Sequence, residues 1–240
     1  MLDNILIKLP SGKRLVWYLA AEEYFANHLT QHSMFFTWIV SPTVIFGRHQ
    51  VMENEVNIPF CQKHGIAMYR RKSGGGCVYA DEGNLMISYL SISPHSEQVF
   101  QDYLDKMADC LRELGYNAVK STHNDIMVGD YKVSGNACFA LSNATIVHGT
   151  LLFDVDFDML QQAITPSQEK LSKHGVESVR QRVRNLTDIA NAREWRSTQA
   201  LAHNIESIWC DQTYIPTETD LQEINKIELE YLNPKFILSK

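Results

Sequence analysis

The strongest constraint on this chain is a glycine-rich stretch from Arg70 to Asn84, which reads Arg-Arg-Lys-Ser-Gly-Gly-Gly-Cys-Val-Tyr-Ala-Asp-Glu-Gly-Asn. Three consecutive glycines allow backbone dihedrals that a Cβ forbids, so successive N–H groups can point into one concavity and bind an anion such as phosphate. The basic residues before the glycines favour this interpretation over a plain tight turn between two strands. The stretch is neither a Walker A motif nor a dinucleotide fingerprint, because both require a different glycine spacing.

Composition excludes several classes of function. The formal net charge is −6, which gives no indication of a nucleic-acid partner. No apolar run approaches the roughly 20 residues of a membrane span, and the first residues lack the pattern of a secretory signal. The chain has five cysteines without regular spacing, which argues against a disulfide framework and against a zinc site. We therefore expect a cytoplasmic protein without a membrane or nucleic-acid partner.

The predicted elements separate strands from helices. Apolar residues recur at helical spacing from Val99 to Leu114, and a meander of short antiparallel strands follows between Asp125 and Phe153. Hairpins without regular βαβ alternation predict an α+β fold with a mixed or antiparallel sheet. The other predicted elements are a strand start at Lys13–Tyr18, a helix at Leu19–Leu29, two strands joined by a turn at Met34–Val40 and Thr43–Phe46, a helix at Glu53–Lys63, strands at Ile66–Arg71 and Leu85–Ile92, and helices at Asp156–Ile164, Arg193–Trp209 and Glu218–Glu228.

A second informative stretch runs from Asn124 to Ala137 and contains Lys132 in a predicted strand, followed by Ser-Gly-x-Ala. Small residues at these positions leave room for a ligand against the sheet. An ammonium group in a partly dry site stabilises a phosphate or a developing negative charge far better than it would in water. The alternative is a surface lysine on a hairpin, and the stretch alone does not decide between them.

Two further stretches carry candidate residues. His148 begins the apolar run His-Gly-Thr-Leu-Leu, where a structural histidine is a better interpretation than a metal ligand, since no second ligand stands at a suitable spacing. The segment 170–184 concentrates basic charge in an acidic protein, which indicates phosphate capture, docking of an acidic partner or simply a solvated loop.

Cys77 and Cys138 are candidate nucleophiles, although a role as a small, buried, apolar side chain is the better interpretation of both.

Taken together, these stretches resemble the lipoate–protein ligase A family. The resemblance covers about residues 15–190, and the joint occurrence of its motifs in the same order is far more specific than any one of them. The matching motifs are Arg-Arg-x-Ser-Gly-Gly-Gly-x-Val-x-x-Asp-x-Gly-Asn at 70–84, Asn-Asp at 124–125, Gly-Asp-x-Lys-Val-Ser-Gly-x-Ala at 129–137, His-Gly-Thr-Leu-Leu at 148–152, and Lys-Leu-x-x-x-Gly-Val-x-Ser-Val-Arg-x-Arg-Val-x-Asn-Leu-Thr at 170–187.

The resemblance implies a fold and a reaction. The fold is the α+β fold shared with biotin protein ligases, with a mixed, largely antiparallel sheet flanked by helices. The reaction has two steps, in which lipoate and ATP form lipoyl-AMP, and the adenylate then acylates one lysine of an apo lipoyl domain. Implied acceptors are the E2 lipoyl domains of 2-oxo acid dehydrogenases and the glycine-cleavage H protein, with Mg²⁺ accompanying ATP.

The resemblance also implies roles for individual residues. Lys132 would be the catalytic residue that neutralises phosphate and carbonyl oxygens, and Asp125 would hold the nucleotide side or orient Lys132. His148 would lie near the pocket rim, and the segment 170–184 would close over the adenylate. The residues implied to bind lipoate or ATP are Arg71, Ser73, Gly74, Gly75, Gly76, Val78, Asn84, Asp125, Ser134, Gly135, Ala137, His148, Gly149, Thr150, Arg180 and Arg182.

The chain departs from the family pattern in three respects. Many members have His-Asp where this chain has Ala80-Asp81, and some have an arginine where Phe139 stands. Longer members carry a small C-terminal accessory domain that assists adenylation, whereas we expect one catalytic domain over residues 1–240, with a helical tail from about 190 packed on it. A separate polypeptide, a transfer-only reaction and a sufficient short tail remain open, as do a cysteine-dependent octanoyl- or lipoyl-transferase and a lipoate-binding module.

Overall fold

Two β-sheets form the frame of the molecule in a computed structural model that describes residues 4–29, 31–164, 183–189 and 197–239. The strands are β1 (Asn4–Ile7), β2 (Ser33–Trp38), β3 (Thr43–Phe46), β4 (Ala67–Arg70), β5 (Val78–Ala80), β6 (Asn84–Ser91), β7 (Ala118–Lys120), β8 (Asp125–Val128), β9 (Tyr131–Ala140), β10 (Thr145–Leu152) and β11 (Gln212–Tyr214). The helices are α1 (Leu15–His28), α2 (Met52–Glu55), α3 (Ile58–Lys63), α4 (Ser96–Glu113), α5 (Phe157–Ala163), α6 (Thr198–Trp209), α7 (Glu218–Tyr231) and α8 (Pro234–Ile237), with a short 3₁₀ turn at Leu186–Asp188.

The larger sheet has eight strands in the order β11-β1-β2-β6-β10-β9-β8-β7. Strand β1 pairs in parallel with β2 and β11, whereas the other pairs in this sheet are antiparallel. The smaller sheet has the order β4-β3-β5. The predicted α+β class with a mixed, largely antiparallel sheet flanked by helices is therefore confirmed. No helix in the described ranges is long and apolar enough to cross a membrane.

Helix α4 packs one face of the larger sheet, as its sequence pattern predicts. It buries Val99, Tyr103, Met107 and Leu111 against the strands, in a core to which α6 also contributes. The chain leaves the helix through Gly115, whose φ of +96° suits a residue without a Cβ. The opposite face of the sheet packs against α1 and α7 and, farther along, carries the candidate active site.

The strand start predicted at Lys13–Tyr18 is wrong, because helix α1 already begins at Leu15. Every residue from Leu15 to Glu22 is buried, so the helix has no polar stripe that would reveal its period. A short run that is apolar all round fits a buried strand and a buried helix equally well. Tertiary packing decided between them.

Three other predicted elements differ in detail. The helix predicted at Glu53–Lys63 is split into α2 and α3, with Asn57 capping α3 through a hydrogen bond from the Phe60 N–H at 3.3 Å. Strands β2 and β3 exist but belong to different sheets instead of forming a hairpin. Within the predicted meander of short strands, Tyr131–Ala140 forms one continuous strand of ten residues, β9. Strands β1 and β11, three or four residues long, were not predicted.

Asp220 anchors the start of α7 to α1 and β11. Its carboxylate accepts hydrogen bonds from the hydroxyls of Tyr24 (2.6 Å) and Tyr214 (2.7 Å) and from the Thr217 N–H (2.7 Å). Burial by itself would raise the pKa of Asp220, but these donors outweigh it and lower the pKa to about 2. The carboxylate therefore contributes stability that is fully present above its unfolded pKa of about 4 and is lost as the pH falls toward 2.

Replacing Asp220 by Asn is expected to lower the free energy of unfolding at pH 7 by about 1–2 kcal/mol, because the amide accepts fewer hydrogen bonds. The difference between the two proteins should shrink as the pH falls from about 4 toward 2. Urea unfolding, monitored by fluorescence at several pH values, measures this difference in the free energy of unfolding. A deficit that stays constant over that pH range would contradict the role assigned to the ionised carboxylate.

Candidate active site

A β-bulge in β9 decides where the side chain of Lys132 points. Ile126 lies opposite Ser134, whereas the next residue, Met127, lies opposite Lys132, so one residue of β9 is left without a partner between them. Side chains alternate along a regular strand, and an extra residue reverses that alternation. The bulge therefore places Lys132 on the same face of the sheet as Gly135.

Lys132 forms an ion pair with Asp125, in which Nζ lies 2.6 Å from Oδ1. A Cβ on Gly135 would lie 2.9 Å from the lysine Nζ, so the ammonium group passes directly over this glycine. Thr150 lies opposite Gly135 on β10, and its hydroxyl is 3.3 Å from the Gly135 N–H. The lysine side chain is 30% exposed, so the charge is partly desolvated and still reachable by a ligand.

A chain of hydrogen bonds crosses the face that carries Lys132. It runs through His148, which lies two residues along β10 from Thr150 and roughly 7 Å away from it. The Nε2 atom of His148 lies 2.8 Å from the Ser73 hydroxyl, and its Nδ1 atom lies 2.9 Å from the Glu22 carboxylate. The other oxygen of Glu22 accepts from the Ser88 hydroxyl at 2.5 Å, and Ser88 accepts from the Trp38 indole at 2.9 Å. This chain thus joins helix α1, strands β2 and β6 and the glycine-rich stretch to His148 on β10.

A donor at one end of this chain and an acceptor at the other favour one direction for its hydrogen bonds. The Arg71 Nε–H donates to the Ser73 oxygen at 3.1 Å, which leaves the serine hydroxyl free to donate to Nε2 of His148. At the other end Glu22 can only accept, so Nδ1 carries a proton. A neutral imidazole protonated on Nδ1 satisfies every partner, an assignment that follows from the hydrogen-bond pattern. The Ser73 hydroxyl is therefore held in one orientation beside the three glycines that follow it.

Arg71 braces the glycine run from inside. Its Nη2 atom donates to the carbonyl oxygens of Gly74 and Gly76, both at 2.7 Å, and Gly75 between them has a φ of +90°. In a trans peptide the C=O and the following N–H point in opposite directions, so the N–H groups of Gly75 and Cys77 point away from the guanidinium. Burial lowers the pKa of Arg71 to about 10, which leaves it protonated at neutral pH.

The two other cations of the basic triplet are engaged by protein groups. Lys72 pairs with Glu23 at 2.7 Å and with Glu230 at 3.0 Å. The Arg70 guanidinium is buried and donates to backbone carbonyls. The hydrogen-bond donors of the three cations are thus already engaged by protein groups, and any anion at this loop would be bound mainly by backbone N–H groups.

The other predicted binding residues fall into three groups. Ala137 lies opposite His148 on the face that carries Lys132, and Val78 begins β5 at the end of the glycine-rich stretch. Ser134 and Gly149 lie on the opposite face, toward α4, and Asn84 is buried at the start of β6, where its amide holds the Tyr79 carbonyl. Arg180 and Arg182 lie outside the described residues.

Sequence reasoning missed Glu22, Trp38, Ser88 and Gly47. Gly47 packs against the glycine run so closely that a Cβ there would overlap with the Gly75 carbonyl oxygen. Glu22 could have been found from the sequence had α1 been recognised as buried, because a carboxylate on a buried face of an apolar helix needs a partner. Trp38 and Ser88 carried no such signal, since each lies in an ordinary strand pattern.

The candidate cysteines differ in position. Cys138 lies opposite Val147 and packs against the core under α4, on the face away from Lys132. Burial raises the pKa of its thiol, which disfavours the nucleophilic thiolate. Cys77 is partly buried and directly follows the glycine run. The geometry therefore counts against Cys138 as a nucleophile beside Lys132.

Replacing Glu22 by Gln is expected to break the His148 hydrogen-bond chain, because the amide nitrogen would face a donor from either Ser88 or His148. The cost is about 1–3 kcal/mol in the free energy of unfolding, the penalty for an unsatisfied buried donor. Chemical denaturation measures it, and ¹⁵N NMR of the imidazole reports the tautomer. The matched control is Glu23→Gln, which weakens a partly exposed pair and should cost under about 1 kcal/mol. Equal losses in the two variants would contradict the role of Glu22.

The fold and this site define a class of protein. Solved structures that superpose on the chain include one of a bi-partite lipoate protein ligase and its E2 lipoyl domain from Thermoplasma acidophilum, with a TM-score of 0.85, 24% identity, and 99% of this chain and 97% of that chain covered. A T. acidophilum lipoate protein ligase with bound lipoic acid superposes at 0.82 with 24% identity over 99% of both chains. A lipoate-protein ligase A bound with ATP does so at 0.82 with 24% identity over 98% of both chains. The fold is that of the lipoate–protein ligases.

The chain belongs to the lipoyl protein ligase A/B catalytic domain family, whose sequence profile matches residues 16–206. Lipoate–protein ligase 1 of Staphylococcus aureus is 38% identical over 175 residues, which are 72% of this chain and 53% of that protein. Lipoate-protein ligase LplJ of Bacillus subtilis is 34% identical over 220 residues, 88% of this chain and 66% of that protein. The chain thus spans about half to two thirds of the length of these relatives.

Proposed function

We propose that this protein is an ATP-dependent lipoate–protein ligase that forms lipoyl-AMP and then transfers the lipoyl group to one lysine of an apo lipoyl domain. The observation that carries the proposal is the Lys132–Asp125 pair, which the bulge in β9 turns over Gly135 on the face shared with His148. Membership of the ligase family adds the substrate class.

The first step brings two anions together, since the carboxylate of lipoate must attack the α-phosphate of ATP and displace pyrophosphate. Catalysis of such a step consists mainly of positioning and of neutralising charge. The Lys132 ammonium, which is partly desolvated and held by Asp125, would neutralise the phosphate and carboxylate oxygens. In the second step the same ammonium would stabilise the oxyanion that forms when the acceptor lysine attacks the acyl carbonyl.

The glycine run and the face of β9 and β10 would bind the rest of the adenylate. N–H groups that point away from Arg71 can donate hydrogen bonds to an anion, and the glycines let a narrow acyl chain pass close to the backbone. Ser73 and His148, roughly 7 Å along the sheet from Gly135, would contact the far part of the acyl group. The remaining predicted contacts stay proposals, namely Val78, Asn84, Ser134, Ala137, Gly149, Thr150, Arg180 and Arg182.

ATP would arrive with Mg²⁺, which supplies charge neutralisation of its phosphates. Within the described residues no three His, Cys, Asp or Glu side chains cluster as metal ligands. The carboxylates of Asp125 and Glu22 are both engaged by protein groups, Asp125 by Lys132 and Glu22 by His148 and Ser88. These residues fit an ion held mainly by phosphate oxygens, as Mg²⁺ usually is.

The proposed acceptors are apo lipoyl domains of 2-oxo acid dehydrogenase E2 subunits and the H protein of glycine cleavage, in the cytoplasm. The T. acidophilum ligase described as bi-partite supports a second proposal, that a separate accessory polypeptide assists adenylation here. We propose that residues 1–240 form one catalytic domain. Its C-terminal part packs on the two apolar cores through α6 and α7 and pairs with β1 through β11.

The test incubates the purified chain with ATP, Mg²⁺, lipoate and an apo lipoyl domain, and measures the acceptor by mass spectrometry. A gain equal to one lipoyl group supports the full reaction. A gain only with synthetic lipoyl-AMP supports the transfer step with a separate partner for adenylation. No gain in either arm, with a folded chain and a competent acceptor, would refute the proposal. A Cys77→Ser/Cys138→Ser variant with full activity would exclude a cysteine-dependent transfer.

A further inference from the structure

The buried Arg70 side chain connects two segments that are far apart in sequence. Its Nε atom donates to the carbonyl of Ile237 at 3.0 Å, and Nη2 donates to the carbonyl of Ser239 at 2.5 Å. Both acceptors belong to the segment 234–239, which contains α8. This segment is seated by Phe236 and Ile237, which pack against two different apolar cores.

The Nη1 atom of the same guanidinium binds the loop 47–50. Nη1 donates to the carbonyls of Arg48 and Gln50, both at 2.8 Å, and to that of Gly47 at 3.2 Å. Arg70 is 1% exposed, and its guanidinium stacks 4.8 Å from the centre of the Phe46 ring. One planar group thus bridges the loop 47–50 and the segment 234–239.

The loop 47–50 in turn supports the glycine run. The N–H of Arg48 donates to the Ser73 carbonyl at 2.9 Å, and Gly47 lies against the Gly75 carbonyl. Ser73 contacts His148 at 2.8 Å. A continuous set of contacts therefore leads from α8 through Arg70 to the side chains of the candidate active site.

The charge of Arg70 makes this connection cooperative. In the described part of the chain its hydrogen-bond acceptors are all backbone carbonyls, and burial lowers its pKa. A buried cation is costly when donors lack partners, so loss of either segment would take from the guanidinium acceptors that it now has. A lysine cannot replace it, because an ammonium lacks the planar fork that reaches acceptors on two sides.

We propose that Arg70 is a positioning residue, which uses the segment 234–239 as a brace to hold the loop 47–50 and the glycine run in their binding conformation. It touches no substrate and acts through Ser73 and Gly75. The activity readout of this inference rests on the proposed function, whereas its structural readout does not.

The structural test is hydrogen exchange of the amides in 47–50 and 73–77 in the substrate-free protein. Arg70→Ala is expected to speed exchange there by at least about tenfold, since several charge-assisted hydrogen bonds are lost. Guanidinium ion, added at concentrations that leave the wild type folded, should restore slow exchange by filling the vacated space. Exchange within about twofold of the wild type in both segments would overturn the proposal.

A second variant covers the case in which Arg70→Ala fails to fold. Phe236→Ala/Ile237→Ala keeps Arg70 but removes the side chains that seat α8. It should likewise speed exchange in 47–50 and 73–77, and guanidinium should not rescue it. Unchanged exchange in these segments, with α8 demonstrably released, would overturn the brace. The matched control is Arg14→Ala, which breaks the 3.0 Å pair with Glu228 on α7 without contacting either loop.

In the lipoylation assay, Arg70→Ala should raise the KM for lipoate by about tenfold with a smaller change in kcat, and guanidinium should lower it again. A merely destabilising change would lower the amount of active protein without this split. If the wild type shows no lipoylation, the proposed function fails while the exchange result still decides the role of Arg70.

Discussion

Replacing Lys132 by Ala should lower lipoyl transfer by about 10²–10³-fold while the fold persists, because the substitution removes the cation that the described part of the chain places over Gly135. Both steps of the proposed reaction place negative charge at this point. Loss in the assay with ATP and lipoate, and also in the assay with synthetic lipoyl-AMP, would show that Lys132 serves both steps. The loss of activity is measured by mass spectrometry of the lipoyl domain at single time points and then by full kinetics.

The control for this substitution must account for Asp125, which would be left partly buried without its cation. Such a charge is destabilising by itself, so Lys132→Ala/Asp125→Asn separates stability from chemistry. The double variant should recover thermal stability but not activity. Lys120→Ala, which removes a lysine paired with Asp105 on α4, should leave turnover within about twofold. A folded Lys132→Ala protein with wild-type turnover would refute the assigned role.

Replacing Gly47 by Ala is the second change with a large expected effect. The new Cβ would overlap with the Gly75 carbonyl oxygen and lie 3.3 Å from the carbonyl carbon of Gly74, so backbone must move on one side or the other. A displacement of about 1 Å at a loop that positions substrate costs about 100-fold in rate. We expect a loss of this size in kcat/KM for lipoate, together with faster proteolysis within 71–77.

The matched control for Gly47 is Gly12→Ala. Gly12 has a φ of +73° and nothing within 4 Å of an added Cβ, so alanine adds backbone strain of about 1 kcal/mol without a collision. Its activity per folded molecule should equal that of the wild type. If Gly12→Ala and Gly47→Ala lose activity in parallel with stability, the loss reflects strain alone and the loop contact has no special role.

Much of the fold followed from local patterns. The spacing of Val99, Tyr103, Met107 and Leu111 predicted α4, because an amphipathic helix on a sheet shows its period directly. The strands between Asp125 and Leu152 were likewise visible. Helix α1 was not, since it is buried on all sides and has no polar stripe. Strands β1 and β11 pair with each other although they lie more than 200 residues apart, which no local signal reports.

For the site, the sequence by itself determined which residue types meet and in which motifs. The glycine run and Lys132 were recognised as candidates from their chemical character, and the resemblance to the ligase family added roles for Asp125 and His148. Tertiary structure decided where each of them points. A single bulge turns Lys132 toward Gly135, and long-range pairing brings Glu22 to His148.

The basic triplet 70–72 shows the difference most clearly. Its composition indicated three cations beside an anion site, yet Arg70 holds backbone carbonyls, Arg71 braces the glycines and Lys72 pairs with two carboxylates. Sequence determines that a charge exists, because the side chain's chemistry is local. Only the folded chain decides which acceptors lie within reach of that charge, since a buried cation must be paired by whatever the tertiary contacts bring to it.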